Sequence, residues 1–149
     1  MTAVLNGKGH TMIEMLIVLG MLVIFTAWPI HSLYTFYQEK EIQRFLYTLE
    51  EDLLFAQQYA YSHEEVTHFL FDSNSQSYHI KPFHSPAAAS KKMPPGVYIE
   101  SASLKESDIV FTAAGNIRRP GTLTIDTPNR RYKLVFLLGS GRFYIEPIQ

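Results

Sequence analysis

The chain has 149 residues, a net charge of -1 and no cysteine, and 46% of its residues are hydrophobic. The lack of cysteine excludes a disulfide framework, and the near-neutral balance gives no indication of a nucleic-acid-binding protein. The apolar residues are unevenly distributed: a long uncharged run lies near the N-terminus, and the remaining part, about 110 residues, suffices for one hydrophobic core.

The first 38 residues divide into a polar leader and an apolar segment. The leader, residues 1–9, carries one positive charge, Lys8. Residues 10–38 hold a single carboxylate, Glu14, and their densest apolar part is 15–30. Because a membrane-spanning helix needs about 20 predominantly apolar residues, residues 10–38 are predicted to form a transmembrane or fibre-core helix. A carboxylate in such a helix is costly, so Glu14 is predicted to have a partner.

The helix is predicted to continue beyond the apolar segment, from about Thr11 to Tyr61. Apolar residues recur there at spacings of three and four, which predicts one buried face. This face consists of Ile42, Phe45, Leu49, Leu53, Ala56 and Ala60, widened by Leu46 and Leu54. The opposite face is predicted to be polar, with Glu50, Glu51, Asp52, Gln57 and Gln58. Residues 39–149, including this amphipathic part, are predicted to form a soluble head.

Short alternating segments after Tyr61 predict β-strands. They are Val66–Phe71, Ser77–Pro82, Val97–Ser101, Ile109–Thr112, Thr122–Asp126, Arg131–Leu137 and Arg142–Glu146. The stretch His84–Gly96, rich in Pro, Ala, Ser and Lys, is predicted to be an exposed loop. Strands that follow a single helix favour an α+β domain with an antiparallel sheet packed on that helix. Its core is predicted to include Phe69, Phe71, Phe111, Phe136 and Phe143.

The segment GHTMIEMLIVLGMLVIFTAW, residues 9–28, resembles the class III signal of type IV pilins and pseudopilins. The resemblance implies cleavage after Gly9 by a prepilin peptidase, N-methylation of His10 and an assembly role for Glu14. The family usually has Phe where this chain has His10. Cleavage would give His10 a charged α-amino group, about 6 Å from Glu14 along the helix axis. Glu14 would pair with that amine in a neighbouring subunit, as the resemblance implies, or within its own chain across one turn.

The head extends the resemblance. The runs IVFTAAGNIRRPGTLTI and RRYKLVFLLGSGRFYIE are similar to the C-terminal sheet of minor pseudopilins, and LEEDLLFAQQYAYSHEEVTHFLF is similar to their helix-to-strand junction. The most similar subunit is the D-type one of the Gram-positive competence (ComG) apparatus, and the H-type subunit of type II secretion is also similar. The resemblance implies a pilin-like fold.

The resemblance to competence subunits implies a minor pseudopilin that acts by assembly in the uptake of exogenous DNA for transformation. The implied partners are the prepilin peptidase, major and other minor pseudopilins, a polytopic assembly platform protein and a cytoplasmic assembly ATPase. The implied location is the cell membrane, with a cytoplasmic N-terminus and the head outside, and later a pseudopilus at the cell surface. Two alternatives remain open: a minor pseudopilin of type II secretion, and an uncleaved single-pass membrane receptor.

Charge is distributed unevenly along the head. Residues 39–65 hold seven acids against Lys40 and Arg44, a balance of -5, whereas residues 110–149 hold six bases against Asp126 and Glu146, a balance of +4. The bases are Arg118, Arg119, Arg130, Arg131, Lys133 and Arg142. They are candidates for contact with DNA phosphates or with acidic surfaces of sister subunits. Because no exposed aromatic residues are interleaved with them, direct DNA binding is the weaker interpretation.

No pattern in the sequence predicts catalysis or a cofactor. Gly139-Ser140-Gly141 lacks the spacing of a nucleophile elbow and is predicted to be a hairpin turn. His63, His68, His79 and His84 lie near one another in sequence but without the spacing of a metal motif. The chain is therefore predicted to be neither an enzyme nor a metal-binding protein, and to draw the energy for assembly from a partner ATPase.

Overall fold

The computed structural model describes residues 11–139 and 141–148, apart from the side chains of residues 27–35. Within these residues one helix, α1 (Met12–Ser62), precedes eight strands. The strands are β1 (Thr67–Asp72), β2 (Ser77–Pro82), β3 (Ala89–Lys92), β4 (Tyr98–Ser101), β5 (Ile109–Phe111), β6 (Gly121–Asp126), β7 (Arg131–Phe136) and β8 (Phe143–Pro147). The protein is thus of the α+β class.

The chain forms two compact units, Met1–Gln38 and Glu39–Gln149; the second is called the head below. The bounds of α1 lie within one residue of the predicted ones. Among the described residues, no helix combines the length and the apolar character that crossing a membrane requires. The predicted leader, residues 1–9, lies outside the described residues.

The predicted buried face of α1 is confirmed in the head. All six residues of the main stripe, Ile42 to Ala60, are at most 6% exposed, and Leu46 is partly buried against the same core. The prediction for Leu54 is wrong, because its side chain is 51% exposed. Leu54 lies seven residues, two helical turns, from both Tyr47 and Tyr61, and these three exposed side chains share the face opposite the core.

The strands form two antiparallel four-stranded sheets, whereas the sequence predicted one. The first sheet has the order β3-β2-β1-β5 and the second has the order β4-β6-β7-β8. Two pairings explain the difference: β5 pairs with β1, and β4 pairs with β6. Alternation along a strand indicates which of its faces is buried, but it does not specify the neighbouring strand.

The loop prediction for His84–Gly96 is wrong in part, because β3 lies within it. β3 pairs with β2 in antiparallel register, from Ala89 opposite Ile80 to Lys92 opposite Ser77. It forms an edge of the first sheet and has the lysine-rich composition that edge strands often have. Because backbone pairing rather than side-chain burial holds this strand, its sequence carries no apolar alternation.

One hydrophobic core joins α1 to both sheets, and all its members lie within the head. Leu49 and Leu53 of α1, Phe69 of the first sheet and Leu134 of the second are each 0% exposed. Of the five phenylalanines predicted for the core, four are buried, and Phe143 is partly buried against it. The core residues that the structure describes therefore all belong to residues 39–149.

Polar contacts of buried Asp52 connect α1 to the first sheet. The hydroxyl of Tyr78 donates to Asp52 Oδ2 at 2.5 Å, and Lys91 Nζ lies 2.8 Å from Asp52 Oδ1. Burial, and secondarily the bond to Asp52, raise the pKa of Tyr78 above its ordinary value, so the phenol stays protonated as a donor. Asp52, predicted for the polar face of α1, is therefore a buried structural residue, at 8% exposed.

Replacement of Asp52 by Ala is expected to lower the free energy of unfolding by about 2 kcal/mol, because a buried hydroxyl left without an acceptor costs about 1–3 kcal/mol. Lys91, whose side chain is 45% exposed, can turn to water. Lys91→Met is therefore expected to cost less than about 1 kcal/mol. Urea unfolding of the chain in non-ionic detergent, followed by far-ultraviolet circular dichroism, measures both. A larger loss for Lys91→Met would show that the Lys91–Asp52 ion pair, and not the hydrogen bond from Tyr78 to Asp52, stabilises the contact between α1 and the first sheet.

Candidate functional site

The first part of α1 presents an apolar surface on every side. Twelve large apolar side chains between Met12 and Phe25 are exposed, from 49% for Val18 to 85% for Met12. They are Met12, Ile13, Met15, Leu16, Ile17, Val18, Leu19, Met21, Leu22, Val23, Ile24 and Phe25. A helix that is apolar all round is normally buried in protein or lipid, so this segment is the strongest candidate for an assembly surface.

Glu14 is the single acidic residue of this segment and lies in the first turn of α1. Its backbone N–H donates to the carbonyl of Thr11 at 3.0 Å. A carboxylate at this end of a helix is favoured by the helix dipole, which explains the tolerance of a charge here. Gly9 and His10, the predicted cleavage site, lie outside the described residues, so cleavage, methylation and pairing of Glu14 with the new amine stay predictions.

The six basic residues predicted as a contact surface are not one uniform patch. Three of them pair with acids of the head: Arg119 with Asp108 at 3.3 Å, Arg131 with Asp126 at 2.6 Å and Lys133 with Glu146 at 2.7 Å. Arg118, Arg130 and Arg142 are exposed.

On the second sheet, two ion pairs give neighbouring strands alternating charges. Arg131 of β7 is opposite Asp126 of β6, and Lys133 is opposite Glu146 of β8. The paired acids partly neutralise the field that would attract a phosphate. The outer face of the second sheet is therefore a poorer anion site than the sequence suggested.

The fold does not bring the four clustered histidines into one group. His63 stacks on Tyr59 with ring centroids 4.0 Å apart, His84 packs edge-on against Phe83, and His68 and His79 lie on neighbouring strands β1 and β2. No group of three or more metal-ligating side chains occurs among the side chains that the structure describes. Gly139 and Gly141 of the predicted turn lie between β7 and β8, where the N–H of Leu137 donates to the carbonyl of Arg142 at 2.9 Å.

The structure brings together a cationic surface that the sequence did not reveal. The first-sheet outer face consists of His68, Leu70 and Asp72 of β1, Ser77, His79 and Lys81 of β2, and Ser90 and Lys92 of β3, and Arg118 lies beside it. His68 is opposite Lys81 on one side and Val110 on the other, and the N–H of Arg118 donates to the carbonyl of Val110 at 2.8 Å. The side chains of Arg118, His68 and Lys81 thus form a row across the sheet.

The charges of this row act on one another. Burial, and then the nearby charges of Arg118 and Lys81, lower the pKa of His68 below its ordinary value. A groove of about 300 Å³ lies at the end of the row, lined by His68, Leu70, Lys81, Pro82 and Phe83. The period of two in β1 and β2 is the signal that could have placed His68, His79 and Lys81 on one face.

Comparison with family models, with curated proteins and with solved structures finds no match to this chain.

Proposed function

We propose that the chain is a minor pseudopilin of a competence pseudopilus, a type IV pilus-like fibre that takes up DNA for transformation. After cleavage at Gly9, residues 10–38 anchor the subunit in the cell membrane and then enter the core of the fibre, while the head stays outside. The subunit acts by assembly and without catalysis. Its partners are the prepilin peptidase, sister pseudopilins, the platform protein and the cytoplasmic ATPase.

The observation that carries this proposal is the exposed apolar surface of α1 between Met12 and Phe25. The twelve exposed side chains between Met12 and Phe25 have no role in the head core. Exposure of such a surface to water is unfavourable by about 25 cal/mol for each Å², so another surface must cover it. Equivalent helices of sister subunits, or lipid before assembly, would do so.

Glu14 supports an ordered fibre rather than a simple anchor. An anchor is destabilised by a carboxylate in its apolar part, whereas a bundle of such helices can use the carboxylate to fix the offset between neighbours. A polar residue in an apolar helical interface sets register in this way in coiled coils. The α-amino group of His10, created by cleavage, is the proposed partner on the adjacent subunit.

The proposal is tested by deleting the chain from its source cell and measuring transformation frequency. Loss of transformation, restored by the wild-type chain, is expected because the fibre cannot take up DNA without this subunit. In the same cells, the N-terminus of the membrane-bound chain is expected to be His10, as read by mass spectrometry. A Gly9→Trp chain serves as the control and should keep the full precursor length.

Two other outcomes would replace this function. Unchanged transformation with loss of an exported protein would favour a minor pseudopilin of type II secretion. An intact Met-Thr-Ala N-terminus in the functional chain would favour an uncleaved membrane receptor, because assembly in this family requires the cut.

A further inference from the structure

We infer that the first-sheet outer face binds single-stranded nucleic acid, with Arg118, His68 and Lys81 along the phosphates and Phe83 as a stacking platform for a base. This binding goes beyond the proposed role in assembly and does not depend on it, since it is a property of the head alone. The surface differs from the outer face of the second sheet, where Arg131 and Lys133 are both engaged in ion pairs.

The cations of this face have no acidic partners. Among the described residues, no carboxylate lies within 4.0 Å of Lys81, Lys92 or Arg118, in contrast to the paired Arg119, Arg131 and Lys133. Asp72 is the single carboxylate in the four strands of the first sheet. Its oxygens already accept from the N–H of Asn74 at 3.0 Å and from the hydroxyl of Ser75 at 2.7 Å.

The register gives the cations a geometry that suits a chain of phosphates. Neighbouring strands lie about 4.8 Å apart. The row from Lys81 on β2 through His68 on β1 to Val110 on β5 therefore spans about 10 Å, and the side chain of Arg118 extends it further. Leu70, His79 and Ser90 form the next row, and Lys92 lies in the row beyond them, which also holds Ser77 and Asp72. Burial first, and the charges of Arg118 and Lys81 second, lower the pKa of His68, so its imidazole contributes hydrogen bonding to this row and the charge comes from Arg118 and Lys81.

Phe83 distinguishes a nucleic acid from other polyanions. Its ring is 69% exposed and lines the groove with His68 and Lys81. The backbone at Phe83 is held, because its N–H donates to the carbonyl of Val66 at 2.9 Å, and the ring of His84 packs edge-on against the Phe83 ring with centroids 4.9 Å apart. Cations beside an exposed aromatic ring are the combination on which single strands bind, by phosphate contact and base stacking.

The test uses the full chain in non-ionic detergent and a fluorescent oligodeoxythymidylate of about 20 nucleotides, longer than a site of about 4–16 nucleotides. Fluorescence anisotropy between about 50 and 200 mM salt gives the affinity and its salt dependence. Phosphate contacts by the three cations Lys81, Lys92 and Arg118 predict a slope of about -2 in log K against log salt. No salt-dependent binding by the wild-type chain would overturn the inference.

Two variants separate the charge contacts from stacking. Lys81→Gln with Arg118→Gln is expected to reduce the slope by about 1.4 and to weaken binding about 25-fold at 0.1 M salt. Phe83→Ala is expected to weaken binding about 5- to 150-fold with no change in slope. All three side chains are exposed, so the fold should persist, which circular dichroism checks.

The matched control is Arg131→Gln with Lys133→Gln, the same loss of charge on the second sheet. It is expected to leave affinity and slope unchanged, because both cations are already paired. An equal loss in this control would assign the binding to general charge and overturn the site. An unaffected Phe83→Ala would show a surface for any polyanion, such as polyphosphate, and would overturn the assignment to nucleic acid. Loss of transformation on deletion tests the fibre separately, so failure of one claim leaves the other standing.

Discussion

Replacement of Leu53 by Ala is expected to lower the free energy of unfolding by about 3 kcal/mol, within the range of about 2–5 kcal/mol found for buried leucines. Leu53 is 0% exposed and packs in the core that joins α1 to both sheets. Truncation removes apolar contacts and leaves a cavity that the surrounding helix and strands cannot fill. Urea unfolding followed by far-ultraviolet circular dichroism gives the difference directly.

Leu54→Ala is the matched control, with the same chemical change one residue further along α1. Its side chain is 51% exposed, so the loss should stay below about 1 kcal/mol, near the range of surface substitutions. Leu54 also lines a surface groove with Gln58, Tyr61 and Asn116. Truncation of its side chain widens this groove and leaves no buried cavity. Equal losses for the two variants would contradict a helix orientation in which Leu53 faces the core and Leu54 faces solvent.

Replacement of Glu14 by Ala is expected to reduce recovery of the chain in sheared fibre fractions at least about 30-fold, since loss of one partner from a buried charge pair costs 2–5 kcal/mol or more. The amount in the membrane fraction should stay equal or rise, because the apolar segment no longer carries a charge. Transformation should fall with the fibre. Quantitative immunoblots of both fractions, together with transformation frequency, measure the two effects.

Two controls make this result specific. Glu50→Ala removes an exposed acid from the same helix within the head and should leave fibre recovery unchanged. Glu14→Gln keeps the size and polarity of the side chain without its charge and should behave like Glu14→Ala if an ion pair is the cause. Normal fibre recovery for Glu14→Ala would remove this residue from assembly and leave it as a favourable first-turn acid of α1.

The elements of the fold that were predictable are those with a local period. The apolar stripe from Ile42 to Ala60 identified the buried face of α1, and alternation placed seven of the eight strands within a few residues of their bounds. β3 was missed because an edge strand held by backbone pairing with β2 needs no apolar pattern. The division into two sheets was missed because it depends on β5 returning to β1 and β4 pairing with β6.

The candidate sites follow the same division. Glu14 within its uncharged apolar run is visible in the sequence, because charge and hydropathy are properties of a continuous segment. The first-sheet outer face is not, because Arg118 reaches His68 and Lys81 only when β5 pairs with β1. The basic residues that stand out in sequence, Arg131 and Lys133, have partners contributed by β6 and β8.

The sequence by itself determined the α+β class, the amphipathic register of α1 and the uncharged apolar segment around Glu14, since each rests on the order of neighbouring residues. Only the tertiary structure decided the burial and contacts of single side chains. Asp52 is buried and contacts Tyr78 and Lys91, and Leu54 is exposed although its neighbour Leu53 is buried. The physical reason is that burial and ion pairing depend on which distant strands pack against a residue. A periodic pattern indicates that one face of an element is buried, but it does not identify the elements that pack against that face.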